Sequence, residues 1–167
     1  IQSTAVVLGV VIGLVSTGGF VQVIGKQASF YWNYEDYLMT NKTINYLHKI
    51  GMLSIFFVLT SIFLLNFFFH IYPYEILFVV FAYAFFVGML LLMLAPLHTI
   101  KQRWVITFAI FAGTAVSIFL KEKTNLLIFA THWIGIAVAI IIVKIFLMAY
   151  FRNLTKKKKS ISGNKIK

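Results

Sequence analysis

The sequence predicts an all-α integral membrane protein, a bundle of about five transmembrane helices. Of its 167 residues, 61% are hydrophobic and only 11% are charged. Residues 51–96 carry one formal charge, Glu75, and would be about 69 Å long as a helix, about twice the ~30 Å hydrocarbon core of a bilayer. Since a soluble domain cannot bury such a segment, we expect two spans, with the chain turning between them near Pro73.

The predicted spans cover residues 5–24, 50–69, 75–97, 104–120 and 126–150. Each is an apolar run of about the ~20 residues that a helix needs to cross a bilayer. Together they define a single transmembrane domain over residues 1–151. The lysine-rich residues 152–167 are expected to form a polybasic, disordered tail.

Residues 25–49 are amphipathic and separate the first two spans. Tyrosines, a tryptophan and charged side chains alternate here, a mixture typical of the headgroup layer of a membrane. We therefore expect an interfacial loop, part of it a short helix lying on the membrane surface.

The charge distribution predicts an orientation. Of the 15 lysines and arginines, only Lys121 and Lys123 fall on one side of a five-span chain, while Lys144 lies within the last span. All the others fall on the opposite side, which the positive-inside rule makes cytoplasmic or matrix-facing. The N-terminus is then outside, in a bacterial plasma membrane or an organellar inner membrane.

The first span carries small residues at a fixed spacing. Ala5, Gly9 and Gly13 recur every four residues, the arrangement that lets helix backbones approach closely in lipid. Glycine that a membrane helix merely tolerates is one interpretation. The other is a packing face for a neighbouring helix in this chain or in another.

Histidines are the main candidates for a cofactor site, because paired axial histidines hold haem b in helix bundles. His132 and His70 are predicted to lie on the outer side, and His132 lies deeper in its span. They are the candidate ligands for haem, and His132 is a candidate for a quinone or a proton. An ordinary hydrogen bond between helices is the alternative for His132, and Lys144 is expected to extend its ammonium group to the interface.

Other chemistry finds little support in the sequence. It has no glycine-rich phosphate loop and no zinc-protease motif, so we expect no catalytic activity of its own. The basic run after the last span is expected to attract anionic lipid headgroups rather than nucleic acid. Its lysines are Lys156, Lys157, Lys158 and Lys159.

The second half resembles the last helices of polysaccharide and lipid-linked oligosaccharide flippases. The similar features are Ala95-Pro96-Leu97, the basic turn Lys101-Gln102-Arg103 and the small residues from Gly135 to Ala139. The resemblance implies a flippase-like module. Such a transporter has a dozen or more spans, and the chain is not assigned to that family.

The leading hypothesis is therefore a non-catalytic subunit of a larger membrane complex, for example an energy-transducing one. The alternatives are a redox membrane anchor that binds haem or quinone, and a small transporter whose path is lined by Asn66, Tyr83 and His132.

Overall fold

The computed structural model describes the backbone of residues 2–124 and 127–164, and the side chains of residues 3–124 and 127–158. Five α-helices account for nearly all of this part of the chain. They are α1 Gln2–Asn33, α2 Tyr37–Phe69, α3 Tyr74–Thr99, α4 Arg103–Lys123 and α5 Ile128–Asn164.

All five helices are long and apolar enough to cross a membrane. This confirms the predicted all-helical architecture, and the five helices fit a multi-pass membrane protein. However, α1, α2 and α5 contain 32, 33 and 37 residues. At about 1.5 Å per residue each is close to 50 Å long or longer, so each exceeds the ~30 Å hydrocarbon core and must tilt or project beyond it.

The structure corrects the expected interfacial loop over residues 25–49. These residues are the end of α1 and the beginning of α2, joined by a turn at residues 34–36. Asp36 starts α2 by accepting a hydrogen bond from the Met39 backbone N–H, at 3.1 Å. One of the aromatic side chains that predicted a surface helix instead contacts another helix, since Trp32 stacks on Tyr150 of α5 with ring centroids 6.3 Å apart.

The backbone of residues 152–164 continues α5, where the sequence had predicted a disordered tail. One contact shows why this end is held in place. The Lys158 ammonium group donates to the Glu35 backbone carbonyl at 2.7 Å and lies 5.7 Å from the centre of the Tyr37 ring. The end of α5 is thus attached to the α1–α2 turn. The side chain of Lys159 lies outside the described residues.

The α2–α3 turn is closed by one buried amide. Asn66 accepts from the Tyr72 backbone N–H at 2.8 Å and donates to the Tyr72 carbonyl at 3.1 Å. Its side chain is 3% exposed. His70 ends α2 in the left-handed backbone region with φ 50°, and Pro73 precedes the first residue of α3. Asn66 therefore has a structural role in this turn.

Helix α3 is the centre of the bundle, because it contacts each of the other four helices. Its closest neighbour is α1, and small residues make the approach possible. A Cβ added to Gly9 would lie 2.7 Å from the Val80 carbonyl oxygen, and one added to Gly13 would lie 2.8 Å from the Ala84 carbonyl oxygen. The small-residue face predicted on the first span thus packs against α3 of the same chain, and its third member, Ala5, is also buried.

We predict that Gly9→Leu destabilises the isolated protein in detergent by about 1–3 kcal/mol or more, because its side chain would force α1 away from the α3 backbone. Thermal unfolding measures the effect. Gly19→Leu is the matched control, since nothing lies within 4 Å of a Cβ at Gly19. Equal melting temperatures for the two variants would contradict this α1–α3 contact.

Candidate functional site

A groove of about 310 Å³ lies between α3, α4 and α5. We call it the histidine groove. It is mainly apolar, with a few polar groups from all three helices. Its polar lining residues are Tyr83, Thr114, Ser117 and His132.

Tyr83 and His132 form the polar pair of the histidine groove. The Tyr83 hydroxyl lies 3.0 Å from His132 Nδ1. If Nδ1 is unprotonated, the tyrosine donates and the protonated Nε2 remains to serve a second partner; the other tautomer reverses these roles. Tyr83 is 4% exposed while His132 is exposed, so a second partner for the pair would approach from the His132 side.

Aromatic rings surround the Tyr83 end of this pair. Trp133 makes edge contacts with Tyr83 and Phe78, at centroid distances of 6.0 and 5.7 Å, and Phe129 makes another with Tyr83. The Trp133 Nε1 atom is buried and has no hydrogen-bond partner among the described residues. It does not line the groove, so the rings fix the position of Tyr83 rather than provide a second donor.

The structure does not bring the other predicted residues to this groove. His70 is exposed in the turn after α2 and is absent from the groove lining, so no His132–His70 pair forms there. The Asn66 side chain is hydrogen-bonded to the Tyr72 backbone in the same turn. Of the three residues proposed for a transport path, only Tyr83 and His132 meet.

One glycine contact beside this groove was missed in the sequence. A Cβ at Gly135 would lie 2.6 Å from the Gly113 carbonyl oxygen, so α4 and α5 cross almost backbone to backbone. The sequence carries a partial signal, because Gly113 lies near the middle of the predicted span 104–120 and Gly135 near the middle of the predicted span 126–150. Residues near the middle of two consecutive spans come to similar depths.

A second groove, of about 440 Å³, lies between α2, α3 and α5. We call it the cationic groove. It is lined by both apolar and polar side chains, including three positively charged side chains of α5. These are Lys144, Arg152 and Lys156, at intervals that place them along one side of the helix.

A buried hydrogen bond supports the wall of the cationic groove. Proline has no N–H, so Pro96 cannot donate to the carbonyl of Leu92 four residues earlier in α3. His48 supplies the missing donor, because its Nε2 lies 2.7 Å from that carbonyl oxygen. His48 is 7% exposed. It therefore ties α2 to α3 at a point where the helix cannot satisfy its own backbone.

The chain matches no protein-family model, and comparison with curated proteins and with solved structures gives no significant match.

We predict that His48→Phe lowers the free energy of unfolding by about 1–3 kcal/mol, the usual cost of an unsatisfied buried polar group. In a Pro96→Ala background the loss should be clearly smaller, since alanine at this position supplies an N–H to the Leu92 carbonyl. Thermal or denaturant unfolding of the four proteins of this double-mutant cycle measures the difference. An equal loss in both backgrounds would show that His48 acts only through packing.

Proposed function

We propose that the protein is a non-catalytic subunit of a larger membrane complex, and that the outward face of α1 contacts a helix of another chain. The observation that carries the proposal is the open surface at Gly18 and Gly19. Nothing in the described part of the chain lies within 4 Å of a Cβ at either position. Small residues on an open helix face are what close association in lipid requires.

Gln22 adds a polar group to the same face. It follows Gly18 by one helical turn, and its side chain is exposed. Helices α1 and α3 run parallel, with Gly9 against Val80 and Gly13 against Ala84. The same pairing, continued along both helices, places Gln22 at the level of Met93, about 9 Å before the end of α3. Within residues 3–124 and 127–158, whose side chains the structure describes, its amide has no hydrogen-bond partner. An amide at this depth is costly in lipid and favours a partner helix.

The proposal includes the orientation. The turn at residues 34–36, the α3–α4 turn and the end of α5 share one side of a five-span chain, and this side carries most of the basic residues. We place it in the cytoplasm or an organellar matrix, with the N-terminus outside. A bacterial plasma membrane or an organellar inner membrane is the proposed location.

A photo-crosslinking residue in place of Gln22 should form an adduct with another polypeptide in native membranes. Introducing Gly19→Leu as well should abolish the adduct, because the leucine holds the partner helix away. The same crosslinker at Ala115, an exposed small residue on α4, is the control and should give no comparable adduct. If the crosslinker at position 22 formed adducts with lipid alone, the proposed contact of α1 with another chain would be wrong.

The orientation predicts a labelling pattern that the chain makes easy to measure, since it contains no cysteine. In intact cells or organelles, Glu122→Cys should react with a membrane-impermeant maleimide added outside. Gln102→Cys should react only after the membrane is opened. The reverse pattern would show that the charge distribution gives the wrong orientation.

A further inference from the structure

We propose that the cationic groove is a binding site for one anionic phospholipid, with the phosphate held by α5 and an acyl chain along the apolar wall. This inference does not depend on the chain being a subunit of a complex. It rests on the charge of the groove, on its position along α5 and on the chemistry of its wall.

The charge of the groove has no counterpart within the described chain. The sequence contains four acidic residues, and none of them lines the groove. Lys158 is directed to the α1–α2 turn instead. Lys144, Arg152 and Lys156 thus line one side of a groove that contains no carboxylate, and an anionic ligand is the complement that this groove fits.

The position along α5 favours a lipid as the source of the anion. Lys144 lies about 24 Å from Ile128, the first residue of α5, and Arg152 about 36 Å. With Ile128 placed at the opposite edge of a ~30 Å hydrocarbon core, Lys144 lies about 6 Å inside the near edge and Arg152 about 6 Å beyond it, in the headgroup layer. A phosphate between the two lies at the level where phospholipid phosphates lie.

The wall of the groove can hold the two parts of such a lipid. The Arg152 guanidinium can donate two parallel hydrogen bonds to phosphate oxygens, and the lysines add compact positive charges. The amides of Asn41 and Asn45, themselves joined at 3.2 Å, provide further polar contacts on α2. The side chains that contact the acyl chain are Ile44, Met93, Leu147, Met148 and Phe151.

The basic residues near the end of α5 therefore have different roles. Lys156 faces the groove, Lys158 holds the α1–α2 turn, and Lys144 belongs with Lys156 although it lies within the last span. A defined site for one lipid differs from general attraction of a basic tail to an anionic surface, because it requires the apolar wall as well as the charge.

Native mass spectrometry of the full chain, exchanged from mixed detergent micelles containing phosphatidylglycerol or phosphatidylcholine with the same acyl chains, tests the proposal. One phosphatidylglycerol should remain bound at energies that remove phosphatidylcholine. The triple variant K144Q/R152Q/K156Q should lower its affinity by about 100-fold, from a few-fold for each charge. Met148→Trp should also weaken binding without changing the charge, since it fills the groove from a side chain that is 58% exposed.

The control is K121Q/K123Q, which removes basic charge at the end of α4, away from the groove, and should leave retention unchanged. Equal retention of both lipids, or an equal loss in the control variant, would overturn the proposal. So would tight binding of inorganic phosphate alone, which would make this a free-anion site. Unchanged retention in a folded triple variant would place any bound lipid elsewhere.

Discussion

A lipid bilayer offers no water to a backbone carbonyl, and this constraint explains how the bundle is held around α3. Pro96 leaves the Leu92 carbonyl without its helical donor, and His48 of α2 provides the replacement. Leu92 also lies against Gly51, whose missing side chain lets α2 come close enough for the hydrogen bond. A proline in one helix thus fixes the position and the tautomer of a histidine in the next.

Close backbone approach is the second means of holding the bundle together. Lipid tails are as apolar as leucine, so burial of apolar side chains gives membrane helices little reason to associate. Glycines bring α1 against α3 and α4 against α5. Because α1 makes no close backbone contact with α4 or α5 within the described residues, the bundle is open, and each of the two grooves described above is lined by α3 and α5 together with a third helix.

The number of helices and their membrane-spanning character could be predicted because they depend on the length and composition of apolar runs. The continuation of α1 and α2 through residues 25–49 could not be predicted, because aromatic residues such as Trp32 and Tyr37 are typical of interfacial segments. Their contacts with α5 depend on tertiary structure. Likewise, His132 was identified as a candidate from its depth in a span. Its partner Tyr83 lies 49 residues away and could not be found from spacing.

The two kinds of polar group on this chain suggest different roles. Asn66 and His48 lie inside the bundle, and both are satisfied by the chain itself and therefore stabilise it. Gln22 and the cations of the cationic groove face outward without a partner in the described chain, and these are the groups that we assign to other molecules. The open bundle and its unpartnered α1 face are accordingly consistent with a chain that functions within an assembly.

The most direct test is the native mass of the protein after extraction in mild detergent, with the accompanying chains identified. The account predicts a species well above the 19.1 kDa of one chain, containing at least one different polypeptide that contacts α1. A single chain of that mass carrying only lipid and detergent would contradict the proposal that the protein is a subunit.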